Sequence, residues 1–241
     1  MPCPLFLPAE PEPSCIIELP MLYNTGMTIL ITYSGNNSTE QQIASVFHGA
    51  AASLGLQGRI RLERTTADRE GKARPATAPN EIVFTELPDT EIARFRIAQA
   101  AGIRTVLFVC TGNAIRSQMA EALVNHLFQG KWAAFSAGVM PMAVPPDVAG
   151  VMREAGIDTT THRSKHVDIF KGCRFDRVVI LCSDAERFCP NLPDGSRQDH
   201  MIFDDPLSSS LMSEGIVFSL KSTLRSLREE MKRTLATYLN E

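Results

Sequence analysis

Apolar residues recur along this chain in two rhythms. Short unbroken apolar runs, the mark of buried strands, alternate with stretches where apolar positions return every three to four residues, the mark of helices. In the first half, Thr28–Tyr33 (TILITY) predicts a strand and Ser34–Asn37 a turn. Thr39–Leu54 then predicts a helix capped by Ser38, with Ile43, Val46, Phe47 and Ala50 on one face. Gln57–Glu63 alternates like a second strand. Residues 64–80 are charged and rich in Pro, Ala and Gly, a loop composition. Ile82–Thr85 predicts a third strand and Pro88–Ala101 a helix ending at Gly102.

The second half alternates more clearly. Arg104–Cys110 (RTVLFVC) reads as a fully buried strand, and Arg116–Phe128 as a helix with Met119, Leu123 and Leu127 in register. Ala133–Ala137 is a strand, Pro146–Ala155 a helix ending at Gly156, and Asp176–Cys182 (DRVVILC) another buried strand. Gln198–Phe203 reads as a fourth strand. Glu214–Leu239 reads as a long amphipathic helix, with Ile216, Leu220, Leu224, Leu227, Met231, Leu235 and Tyr238 on its stripe. Such alternation predicts an α/β fold: over 104–241, a three-layer, four-stranded parallel sheet with helices on both faces. Residues 27–103 form a small α/β extension. Residues 1–26, with six prolines among them, read as a disordered leader. Met27 stands directly before the first strand-like run and is an alternative translation start.

Composition narrows the function classes. Of 241 residues, 44% are apolar and 21% charged, which excludes disorder of the bulk of the chain. Net charge is −3, with 8 basic against 11 acidic residues in 1–103 and 16 against 16 in 104–241. Neither half is a polyelectrolyte, so binding of nucleic acid through phosphate neutralisation is not expected. No apolar run reaches the ~18 residues a membrane helix needs, and the start lacks a basic secretory n-region. The six cysteines (Cys3, Cys15, Cys110, Cys173, Cys182 and Cys189) are too sparse for a disulfide scaffold. Free thiols in a reducing cytoplasm are the expectation.

The strongest chemical signal is Cys110-Thr111-Gly112-Asn113-Ala114-Ile115-Arg116-Ser117, set between a buried strand and a helix. A strand–loop–helix of this kind points backbone N–H groups at one spot, with the positive helix end behind them, and so cradles a tetrahedral oxyanion. Gly112 allows close backbone approach and Asn113 tolerates a left-handed conformation. Arg116 offers a planar fork to two oxyanion oxygens. Cys110 at the mouth is the nucleophile candidate, since donors, dipole and guanidinium all favour its thiolate. Ser117 can donate a hydrogen bond to that sulfur.

These residues, with FSAG (135–138) and FDDP (203–206) following in order, resemble the low-molecular-weight protein tyrosine phosphatase family. CTGN, RSQMAE and LCSDAERFCP are most similar to its thioredoxin-coupled arsenate reductase branch, over about Arg104 to the C-terminus. The resemblance implies Cys110 as nucleophile, Arg116 as oxyanion ligand and Asp205 as general acid. It also implies a thiol relay: Cys110 attacks arsenate, Cys182 attacks the adduct and releases arsenite, and Cys189 forms Cys182–Cys189 and frees Cys110. Thioredoxin, or glutaredoxin with glutathione, would reset the relay, with no cofactor. The alternative is a phosphatase of the same family with a redox-regulatory Cys182–Cys189 pair. A third reading is an oxyanion-binding sensor module.

Three departures sharpen the expectation. Ile115 stands where the reductase branch often carries a further loop cysteine. Some members bind a monovalent cation through an Asn, a Glu, a Ser and an Asp. Asn113, Glu121 and Ser136 match the first three, but Lys165 takes the fourth place, so its ammonium is expected to stand in for the ion and no metal is predicted. Leu207-Ser208-Ser209 replaces the aromatics that hold an aryl phosphate in phosphatases. The five histidines, Cys173 and Asp204 read as structural. Outside this region, TILITYSGNNSTEQQIA is loosely similar to the start of flavodoxins, but a 75-residue stretch is too short for that fold; a docking or regulatory extension is expected.

Overall fold

The computed structural model describes residues 28–34, 38–65, 75–188, 197–211 and 219–240. Two parallel sheets organise them. In the first, β1 (Ile29–Tyr33) lies between β2 (Ile60–Arg64) and β3 (Glu81–Phe84). Helices α1 (Glu40–Ser53) and α2 (Thr90–Ala100) follow the first and third strands. The cap of α1 is Thr39 rather than Ser38. Its hydroxyl accepts from the Gln42 N–H while the Gln42 side chain accepts from the Thr39 N–H, so Gln42 three residues on selects the neighbour. The second strand also begins at Ile60, three residues later than the alternation suggests, because Gly55 and Gly58 take left-handed turns before it.

The second sheet has the order β5-β4-β6-β7, all parallel: β4 (Arg104–Cys110), β5 (Trp132–Gly138), β6 (Arg177–Ile180) and β7 (Arg197–His200). Val106 to Val109 of the inner strand β4 are fully buried, as expected of a strand covered on both faces. β7, at the rim, is polar (RQDH) and so discourages further pairing. Helices α3 (Arg116–Leu127), α4 (Pro146–Glu154) and α7 (Leu220–Asn240) pack together along one face. The part of the expected last helix that begins at Glu214 falls outside the described residues.

The opposite face is covered by α2 and the 3-10 turn Val167–Phe170. There Phe95 of α2 joins Phe135, Phe170 and Phe175, with ring centroids 4.6 to 5.9 Å apart in tilted and edge-to-face contacts. A helix that follows the first sheet in sequence therefore belongs to the core of the second. The connection is short: α2 ends at Ala100, Gly102 turns with φ +70°, and β4 starts at Arg104.

Two short helices complete the architecture. α5 (Ser183–Phe188) begins directly after Cys182, and α6 (Pro206–Leu211) after Asp205. Both start beyond the carboxyl end of a strand, where open parallel sheets place ligand sites. Among the described residues, no helix is long and apolar enough to cross a membrane.

Candidate functional site

The loop Cys110–Ile115 joins the end of β4 to the start of α3. Its carbonyls are tied outward: Thr111 O accepts from Met140 N–H at 2.9 Å, Gly112 O from Met142 N–H at 2.8 Å, and Asn113 O from Gln118 Nε2 at 3.1 Å. In a planar trans peptide the next N–H points the opposite way. The amides of Gly112, Asn113 and Ala114 thus turn toward the inside of the loop. Helix α3 has Ile115 at its N-cap and no side-chain cap, so its first-turn N–H groups add to that convergence.

Asn113 fixes the loop. It is the one non-glycine residue with positive φ (+43°) among those described, and it is fully buried. Its Oδ1 accepts from Lys165 N–H at 2.7 Å and Gln118 Nε2 at 3.1 Å. Its Nδ2 donates to Ser117 Oγ at 2.9 Å and Ser136 Oγ at 2.8 Å. Ser117 Oγ in turn lies 2.9 Å from Cys110 Sγ. A hydroxyl has one proton, so the direction of this chain follows from its far end. Ser136 must give its proton to the carboxylate Glu121 Oε2, which can only accept. Ser117, already accepting from Asn113, then has its own proton to donate to the Cys110 sulfur.

Glu121 is held ionised. Burial works against its charge, but Lys165, His162 and Arg94 nearby, together with the Ser136 hydrogen bond, pull its pKa down to about 2. Lys165 Nζ lies 3.1 Å from Glu121 Oε2, so the ammonium sits beside the carboxylate of the matched Asn–Glu–Ser set. The other oxygen, Oε1, accepts from Arg94 Nη1 at 3.0 Å. Arg94 comes from α2, where no local sequence motif marks it. His162, an ordinary histidine by its sequence surroundings, has its Nδ1 3.0 Å from Gln118 Oε1, behind Asn113. Burial, first of all, pushes its pKa down and keeps the ring neutral.

The remaining sequence candidates fall on the same rim. Arg116 donates to Phe203 O at 3.1 Å and to Asp205 Oδ2 at 3.2 Å, which brings the guanidinium and the candidate acid together. Asp205 Oδ1 accepts from Leu207 N–H at 2.9 Å, at the start of α6. Cys182 is a free, buried thiol whose Sγ lies 3.3 Å from Thr111 Oγ1. It stands just past β6, whose Ile180 pairs with Val109 beside Cys110. Cys189 lies outside the described residues, as do Cys3 and Cys15. Cys173 is buried before β6, and burial raises its thiol pKa.

Gly112 does not use the left-handed region; the space over it is filled by the Met142 thioether. The close backbone approach occurs at Gly138 instead. A β-carbon there would lie 2.7 Å from Asn113 N and Thr111 O. Among the described residues, no three His, Cys, Asp or Glu side chains group as a metal site.

The family model for low molecular weight phosphotyrosine protein phosphatases matches residues 105–237. Arsenate reductase 2 of Staphylococcus epidermidis is 34% identical over 135 residues, spanning 56% of this chain and 95% of that protein. The arsenate reductase of Staphylococcus aureus strain Newman is 42% identical over 105 residues, spanning 43% and 79%. A crystal structure of arsenate reductase from Archaeoglobus fulgidus is similar at 27% identity with a TM-score of 0.45, covering 56% of this chain and 99% of that one.

Proposed function

The chain belongs to the low molecular weight phosphotyrosine protein phosphatase family, and from that premise we propose that it is an arsenate reductase working through a thiol relay. The observation that carries the reading is the second thiol: Cys182 stands just past the end of β6, the strand next to that of Cys110, and contacts the loop through Thr111. A phosphatase needs one thiol; reduction needs a second within reach of the first.

In the proposed reaction, the loop amides and Arg116 bind arsenate, and the Cys110 thiolate attacks arsenic. Asp205 gives a proton to the departing oxygen, which leaves as water. The Cys182 thiolate then attacks the Cys110 sulfur. An S–S bond forms, the S–As bond breaks, and its electron pair stays on arsenic, which leaves as arsenite. Cys189 attacks Cys182, forming Cys182–Cys189 and returning Cys110 as a thiolate. A protein dithiol such as thioredoxin reduces that disulfide by exchange.

The test is NADPH consumption with arsenate, thioredoxin and thioredoxin reductase. Turnover should vanish in Cys110→Ser, Cys182→Ser and Cys189→Ser. Full multiple turnover in Cys189→Ser would sink the relay, and activity with glutaredoxin and glutathione alone would reassign the donor. The family match also favours a phosphatase reading. Brisk p-nitrophenyl phosphate hydrolysis, unchanged in Cys182→Ser and without arsenate-dependent NADPH loss, would establish it instead.

A further inference from the structure

We propose that Arg94, on α2 and outside the segment that matches the family, is a positioning residue of the oxyanion loop. The inference rests on Cys110–Ser117 being an oxyanion cradle, not on what becomes of the oxyanion.

Arg94 is buried, yet it lies at the hub of the charges behind the loop. Nη1 reaches Glu121 Oε1 at 3.0 Å and Glu91 Oε2 at 2.9 Å. Nη2 donates to Ala134 O on the open edge of β5, and the guanidinium lies 4.3 Å over the Phe135 ring. Glu91, one turn earlier on α2, also lies 3.7 Å from Lys165 Nζ. Two carboxylates and two cations therefore close a charge-balanced cluster, buried except at Glu91, half of it supplied by α2.

The consequence for the loop is directional. Glu121 has two oxygens with separate tasks: Oε2 takes Ser136 and Lys165, and Oε1 takes Arg94. A guanidinium can only donate, and its fork is rigid. It fixes the plane of the carboxylate, and that plane sets where Ser136 directs its proton. Ser136 then faces Asn113 as an acceptor, and the Asn113 amide is held with Nδ2 toward Ser117. Without Arg94, Glu121 keeps Lys165 but loses the partner that fixes its plane. The segment ahead of β4 is, on this reading, part of the site's frame.

The experiment uses the full chain. Arg94→Met and Arg94→Gln are compared with wild type for binding of inorganic phosphate by calorimetry and for arsenate KM and kcat. Urea unfolding verifies that each variant is folded. Arg163→Gln is the control; it breaks the exposed Arg163–Asp89 ion pair at the same junction without entering the chain of donors. A positioning role raises the phosphate Kd and arsenate KM at least tenfold in Arg94→Met and at least threefold in Arg94→Gln, with Arg163→Gln within twofold. A merely structural role lowers the folded fraction and kcat while Kd and KM stay put, and that result overturns the proposal. Should Arg94→Met fail to fold, Arg94→Gln decides by its own threshold. A wild-type protein that does not bind phosphate overturns the cradle and this proposal with it, whereas phosphate binding without arsenate turnover removes only the reductase reading.

Discussion

At Gly138 the missing side chain is what lets the loop lie flat against β5. A β-carbon would meet backbone atoms on two sides, and backbone cannot swing away as a side-chain end does. Gly138→Ala should therefore shift the loop. Overpacking of this kind costs about 1–3 kcal/mol. The expected result is a lower urea midpoint and a phosphate Kd raised by an order of magnitude or more, by titration calorimetry. At Gly112 the neighbour is the end of the Met142 side chain, so Gly112→Ala should be much milder. The contrast also marks what was legible in the sequence. Cys110, Arg116 and Ser117 follow one another in a few residues after an apolar run, so their chemistry could be read locally. Gly138 and Arg94 act through contacts with residues distant in sequence, and no local pattern announces such partners.

Between elements, α7 is tied to the sheet by a polar clasp. Tyr238 donates its hydroxyl to Asp199 Oδ2 on β7, while Arg177 of β6 donates to Tyr238 O at 2.9 Å and stacks on the Tyr238 and Trp132 rings. Burial, with the Asp199 carboxylate adding to it, raises the Tyr238 pKa to about 12. A raised phenol pKa contributes stability below its ordinary value near ~10 that is lost as pH rises through the folded value. Urea midpoints should therefore fall between pH 10 and 12 in wild type, with a shallower fall in Tyr238→Phe. The stripe of α7 was legible because Leu224, Leu227, Met231 and Leu235 repeat at helical spacing and are all buried. The clasp was not, since a tyrosine on an apolar stripe reads as packing alone.

Across the whole molecule, the Glu91–Arg94–Glu121–Lys165 cluster joins the helix that follows the first sheet to the second sheet. Its weak point is acid. Glu121 has a lowered pKa, so its contribution is full above the ordinary carboxylate value and disappears as pH falls through about 2. His162, kept neutral by burial, adds an earlier loss as pH falls below its ordinary ~6.5. Stability should decline in two stages, and Glu121→Gln should flatten the lower one, measured by denaturant midpoints from pH 7 to 2. The apolar half of the same junction is Phe95. Phe95→Ala leaves a hole beside Phe135 and Phe175 and should cost about 3–5 kcal/mol, by equilibrium unfolding. The alternation of strands and helices made both sheets legible. The sharing of α2 between them was not, because its apolar face reads the same whichever sheet it covers.

The shared helix also has a history during synthesis. Phe95 leaves the ribosome well before Phe135 and Phe175, the rings it will touch. β1 can find β2 and β3 early, but β4 waits for β6, and every pairing in both sheets is parallel and needs a crossover. For that interval the nascent chain holds a helix whose Phe95 side is uncovered, the kind of surface that draws chaperones or other copies of itself. The first sheet can close early, while the helix it shares with the second waits for the rest of its core.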